Sequence, residues 1–236
     1  PALREATWIL QHLLAHRPEL LSVMATNRAR LVVMAYNEYT TDLPEQADMT
    51  PKVFWDRRAR GLGGALVSCA EENLLCFPND PYATENILIH EFAHAIDGVA
   101  LRAADPTFGR RLRAAFRANR AKWQGTYAGT GASEYWAEGV QDWFDDNREN
   151  DALHNHVNTR AELKAYDPDL ATLCAEVFGD GQWRYLKPAR RAPEGRATST
   201  ALPLPMPALS LRWVARPEAP PGGPVEIVIV GKGSRV

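Results

Sequence analysis

The chain has 236 residues, 45% of them hydrophobic, and a formal net charge of −2. That length holds one sizeable core with at most a small appendage, and a charge so near zero excludes electrostatic steering toward nucleic acid. No run approaches the roughly 18 uninterrupted apolar residues that a bilayer span requires, so no membrane span is expected. Pro1 stands where a methionine would, which fits a processed or trimmed product.

The opening run TWILQHLLAHRPELLSVM has apolar residues at helical spacing, and Pro18 divides it into two helical pieces. His12 and His16 stand one turn apart there with Leu13 between them, a pattern assigned to packing or surface. Residues 31–36 (LVVMAY) read as a buried strand. Thr50-Pro51 opens a short helix ending at Gly61, and strand-like segments follow in ALVSCAEENLLCF. If Glu72-Asn73 made a two-residue hairpin turn, Cys69 and Cys76 would face each other across it. A disulfide there would indicate an oxidising compartment and a secreted or periplasmic protein, whereas buried reduced thiols are the competing explanation. Cys174 is expected to be free and buried.

Asp80-Pro81 has the chemistry of a helix start, and the helix it opens is expected to end near Gly98. Asp105-Pro106 begins another with a basic, solvated face. A glycine- and threonine-rich loop, GTYAGTGAS, leads to EYWAEGVQDWFDD, where Trp136, Val140 and Phe144 recur at helical spacing. His154 and His156 fall in a polar stretch and read as loop residues with a conceivable substrate contact. Thr159 and Glu162 form a capping-box pattern, and Asp167-Pro168 opens a last helix through Phe178. Beyond Tyr185 the composition turns to proline, alanine and arginine, an extended arm with Pro203, Pro205 and Pro207 alternating. LSLRWVA and VEIVIV, flanking Pro220-Pro221-Gly222-Gly223, suggest a terminal β-hairpin.

The chemistry concentrates in His90-Glu91-Phe92-Ala93-His94. A helix advances about 100° and 1.5 Å per residue, so His90 and His94 share a face about 6 Å apart along the axis. Two imidazoles can then reach one metal, while Glu91, at the edge of that face, can contact a water without being a ligand. A catalytic zinc needs a third protein ligand. In Glu134-Tyr135-Trp136-Ala137-Glu138 the acids lie one turn apart: Glu134 can ligate and Glu138 can accept an imidazole N–H, or both can be surface acids of an ordinary helix.

Taken together, His90-Glu91-Phe92-Ala93-His94, Ala95-Ile96-Asp97, Tyr127 and the Glu134–Glu138 run resemble the catalytic domain of the anthrax lethal factor family, a branch of the gluzincin metallopeptidases. The resemblance covers roughly residues 84–145. It implies that His90, His94 and Glu134 hold one Zn2+, that Glu91 is the general base, and that Tyr127, seven residues ahead of Glu134, supports the transition state. It also implies a zincin-like α+β domain, a small twisted sheet packed on helices with the His-Glu-x-x-His helix beneath the cleft. That domain is expected over residues 1–186, followed by a proline-rich linker and strand-like extension over 187–236. The expected activity is a zinc endopeptidase acting on a protein or peptide substrate. A zinc amidohydrolase of non-peptide amides, or a catalytically silent zinc-binding interaction domain, are the rival readings.

Overall fold

The computed structural model describes residues 1–191 and the two-residue strand Ile229–Val230. The N-terminal run forms α1 (Ala2–Leu13) and α2 (Glu19–Thr26), divided at Pro18 as its sequence predicts. Ala6, Ile9, Leu10 and Leu13 line one stripe of α1 and are buried, the spacing expected of a helix lying on a core. His12 packs between Trp8 and Trp183, with ring centroids 4.3 and 5.1 Å away.

The strands β1 (Arg30–Met34), β2 (Gly61–Leu62), β3 (Leu66–Ala70) and β4 (Ile229–Val230) form one sheet in the order β2-β3-β1-β4. β1 and β3 run parallel in the register Arg30↔Leu66 to Met34↔Ala70, which explains their nearly continuous apolar sequences. β2 joins β3 antiparallel, Gly61 facing Cys69, and forms the edge nearest the site. β4 lies parallel to β1, with Leu31 facing Ile229. The rest of the expected hairpin and the proline-rich arm lie outside the described residues. Residues up to Arg191 stay on the main body: Arg191 pairs with Glu5 at 2.5 Å and stacks on the Trp8 ring at 4.0 Å.

Between α3 (Lys52–Arg58) and the next long helix the structure departs from expectation in two places. Residues expected to turn between Cys69 and Cys76 instead form α4 (Glu71–Leu75), and all three cysteines are free. Glu71 and Glu72 favour a helix N-terminus, and buried Glu72 binds Arg60 Nε at 2.5 Å and Nη2 at 3.1 Å, a bond that fixes this arrangement. Thus the disulfide that suggested an oxidising compartment is not formed. Asp80 caps no helix either, because its carboxylate is taken by Asn73 Nδ2 and the Tyr82 amide, both at 2.9 Å.

The helix that carries His90 and His94 is α5 (Ile87–Ala95), opened by Asn86, whose side chain accepts from the Ile89 amide. It does not stop at Gly98. Wide π-helical turns at Ile96–Leu101 continue it into α6 (Arg102–Ala104), because Ile96, Ala100 and Leu101 are buried while Gly98 faces solvent. That burial outweighs the roughly 1 kcal/mol that glycine costs inside a helix.

The C-terminal half agrees closely with its sequence: α7 (Phe108–Asn119), α8 (Ala132–Trp143), α9 (Arg160–Tyr166) and α10 (Pro168–Phe178). The Thr159/Glu162 capping box is present, and Asp167 caps α10 through the Leu170 amide at 3.1 Å. α8 is nearly all buried, with Tyr135, Trp136, Val140 and Trp143 packed against α5, α7 and α10. The architecture is α+β and helix-dominated, and no helix among the described residues is long and apolar enough to cross a membrane.

Asp167 does more than cap. Its Oδ2 also accepts from Trp123 Nε1 at 2.9 Å and Tyr135 Oη at 2.6 Å, joining α8 to α10 inside the core. Asp167→Ala removes the cap and leaves two buried donors unsatisfied, so stability should fall by roughly 3–6 kcal/mol, readable from urea denaturation midpoints.

Candidate metal centre

α5 and α8 cross so that the side chains of His90, His94 and Glu134 converge, and their ligand atoms all lie within 4.8 Å of one another. Glu134 Oε2 is 3.1 Å from His90 Nε2 and 3.5 Å from His94 Nε2. Zinc takes nitrogen and oxygen donors at about 2.0–2.2 Å, so neighbouring donors of a tetrahedral site stand roughly 3.3–3.5 Å apart. The 3.5 Å spacing matches that geometry, and the 3.1 Å spacing, that of a hydrogen bond, is slightly shorter.

The far side of each imidazole is also occupied. His90 Nδ1 lies 2.8 Å from Gln141 Oε1 and 3.4 Å from Glu138 Oε1, and His94 Nδ1 lies 2.9 Å from Ser133 Oγ. Partners on Nδ1 leave Nε2 of both rings for a metal, the arrangement that oriented histidine ligands adopt. Sequence reasoning identified Glu138 but missed Gln141, which makes the shorter bond, and Ser133. A signal existed, since Glu134, Glu138 and Gln141 recur at helical spacing as a polar stripe on an otherwise apolar helix.

Electrostatics differentiates the acids. Burial raises the pKa of Glu134, but hydrogen bonds from His90 and His94 outweigh it and hold the carboxyl well below its ordinary range. Burial raises that of Glu91 and wins there, although both histidines oppose it. Burial also lowers the pKa of His90, yet the Glu134 and Glu138 carboxylates raise it well above the usual imidazole value. Tyr127 stacks on the His90 ring at 6.0 Å, and burial with the nearby Glu134 charge keeps its phenol protonated.

These groups line a cleft of about 790 Å³. Glu91, Tyr127 and Glu138 face it together with the three candidate ligands, so these six residues named from the sequence line one cleft. His154, read as a loop residue, is a largely buried wall of the same cleft, 3.4 Å from Glu138 Oε2 and 2.7 Å from Asp151 Oδ1. His156 is elsewhere, against Tyr166. The opposite wall is the edge strand and the residues after it. Gly63 admits no side chain, because a Cβ there would sit 2.6 Å from His94 Cβ and 2.9 Å from the Glu91 carbonyl oxygen.

Fold and site together define a helix-dominated α+β domain whose cleft holds a histidine–histidine–glutamate cluster able to bind a metal ion. Its fold is similar to that of the Pro-Pro endopeptidase PPEP-2 from Paenibacillus alvei, with a TM-score of 0.51 and 20% sequence identity over 74% of this chain and 91% of that one. No protein-family model matches the sequence, and no curated protein matches it significantly. The likeness is to a peptidase fold, and it does not single out the lethal factor family.

The close seat of Gly63 on α5 yields a direct check. Gly63→Ala should force the loop after β2 away from His94 and destabilise the metal-free protein by about 1–3 kcal/mol, measured by chemical denaturation.

Proposed function

We propose that the protein is a zinc-dependent endopeptidase. The observation that carries this reading is the convergence of ligand atoms of His90, His94 and Glu134, all within 4.8 Å of one another, on the wall of a large cleft, with Glu91 beside them. The fold shared with an endopeptidase supports a peptide as substrate rather than another amide.

His90, His94 and Glu134 hold the ion, and Glu138 and Gln141 orient the first of these. A bound zinc supplies Lewis acidity toward a scissile carbonyl and lowers the pKa of a water to about 7. Glu91 takes the proton of the attacking water on its carboxylate and returns it to the leaving amine. Its place in the motif, next to one histidine and three residues from the other, keeps it at the cleft without making it a ligand. Tyr127 donates its hydroxyl proton in a hydrogen bond to the carbonyl oxygen as negative charge develops there. The half-buried phenol is held against His90 by ring stacking, so this donor is positioned before substrate arrives.

The test joins elemental analysis to a peptide-library digest read by mass spectrometry, with and without a chelator. About one zinc per chain and chelator-sensitive cleavage are expected. Protein that takes up no metal when zinc is supplied would falsify the proposal. Glu91→Gln should retain zinc yet lose nearly all turnover, because an amide of the same shape cannot accept the proton of water.

Tyr127→Phe should leave zinc content and KM nearly unchanged and lower kcat by roughly 10²- to 10³-fold, since the lost bond belongs to the transition state. Turnover within a few-fold of wild type would assign Tyr127 a packing role instead.

A further inference from the structure

Behind His90, side chains from α5, α8 and two loops close into a ring. Gln141 Nε2 donates to Glu85 Oε2 at 3.0 Å, and Glu85 Oε1 accepts from Arg148 Nε at 2.5 Å. Arg148 Nη1 stands 3.6 Å from Asp151 Oδ2, and Asp151 Oδ1 lies 2.7 Å from His154 Nδ1. His154 Nε2 and His90 Nδ1 each lie 3.4 Å from the Glu138 carboxylate, and the 2.8 Å bond between His90 Nδ1 and Gln141 Oε1 completes the circuit. Glu85 and Gln141 are both buried, and Arg148 lies over the Tyr82 ring at 5.1 Å, forming part of the cleft wall.

Within this ring Gln141 is the member that can face either way. The oxygen and the NH₂ of its amide are nearly equal in size, so packing does not choose between them, whereas hydrogen-bond chemistry does. A carboxylate offers only acceptors. Glu85 therefore draws the NH₂ of Gln141 toward itself and turns the carbonyl oxygen to His90, which must keep its proton on Nδ1. In the neutral ring that a metal ligand requires, the lone pair of His90 is then on Nε2, the nitrogen that faces Glu134. With the amide reversed, NH₂ would face Nδ1 and the ring proton would move to Nε2, where a metal ligand needs a lone pair. Glu138 acts in the same sense as Glu85, but from 3.4 Å against 2.8 Å for Gln141.

We propose that Glu85 is a positioning residue that sets the tautomer of His90 through Gln141, with Arg148 holding the Glu85 carboxylate in place. This rests on the reading of His90 as a metal ligand and extends it to residues two hydrogen bonds away. Glu85 touches neither the metal position nor the reacting atoms. Its effect is on which nitrogen of His90 is offered.

The experiment measures zinc affinity by competition with a chelator, and the visible spectrum after Co²⁺ substitution, for the full chain. A glutamine at 85 can present either NH₂ or oxygen to Gln141, so Glu85→Gln should weaken zinc binding by about 10- to 100-fold, as loss of an outer partner of a histidine ligand does. The exchange Glu85→Gln with Gln141→Glu keeps both hydrogen bonds and restores an acceptor-only group opposite Nδ1. It should recover zinc affinity to within about fivefold of wild type, together with the wild-type Co²⁺ spectrum. A purely structural Glu85–Arg148 ion pair predicts no recovery, because the exchange does not return the charge to position 85. Zinc affinity of Glu85→Gln within about fivefold of wild type, or a double variant no tighter than the single one, overturns the proposal. Should Glu85→Gln fail to fold, the double variant is read directly against wild type, and a loss beyond about fivefold is the overturning result. Wild-type protein that binds neither metal would remove the metal centre itself. Normal wild-type binding without the expected variant pattern would remove only the role of Glu85.

Discussion

The hydrogen bond from the Trp136 indole to the Ala93 carbonyl, 2.9 Å long and fully buried, fixes how α8 lies along α5. Ala93 immediately precedes His94 and Trp136 follows Glu134 by two residues, so this one bond sets the register of all three candidate ligands. Sliding α8 by a single residue would move Glu134 by about 1.5 Å along the axis and turn it by about 100°. Donors that stand 3.1 and 3.5 Å apart do not survive such a displacement. The indole itself is held by Phe178, stacked at 5.7 Å, and Phe108, edge-on at 5.1 Å. An aromatic core formed by α7, α8 and α10 therefore determines the metal geometry without any of its side chains entering the cleft.

The N-terminal end of α5 is fixed by a different device. Asn86 caps the helix, its amide donates to Asp146 just beyond α8 at 2.9 Å, and its side-chain NH₂ donates to Tyr185 at 2.8 Å. Asn73 receives the Ile87 amide and donates to the Tyr82 and Glu85 carbonyls, each at 2.9 Å, so the loop before α5 is satisfied without becoming helical. With both ends anchored, the edge strand can lie close against the middle of the helix, where glycine at 61 and 63 removes the side chains that would intervene.

What could be read from the sequence was local or periodic. His90, Glu91 and His94 are related by one helical turn, and Glu134 and Glu138 by another, so their faces followed from the sequence alone. The capping box at Thr159 and the start at Asp167-Pro168 were legible because each is a bond between residues three apart. Interactions that close across the chain were not. Glu72 commits to α4 because Arg60 is there to receive it, and Asp80 forgoes a helix because Asn73 takes its carboxylate. Gln141 acquires its role from Glu85, 56 residues earlier, and His154 from Glu138 on another element. Neither partner leaves a mark on nearby sequence. The disulfide expectation failed for the same reason, since spacing between cysteines does not reveal which backbone lies between them.

The cleft gathers more acid than an apolar interior ordinarily tolerates, and the neighbours of each carboxyl decide its state. Glu134, bonded to two imidazoles, is held ionised, whereas Asp142, one turn beyond Glu138, is fully buried and has its pKa pushed well above the carboxylate range by that burial. Its Oδ1 accepts from Asn147, while Oδ2 has no hydrogen-bond partner among the described residues. Negative charge is thus kept where the three donors meet and suppressed one turn away. The lowered pKa of Glu134 favours folding at neutral pH, whereas burying a carboxyl whose pKa is raised, as at Asp142, opposes it by up to about 1.4 kcal/mol for each unit of the rise. Burial of side chains as large as Tyr135, Trp136 and Trp143 contributes roughly 1.5–3 kcal/mol each in the opposite direction, enough to hold several strained carboxyls in place. Because the ligand atoms already lie within 4.8 Å of one another, folding rather than binding bears most of the work of bringing them together.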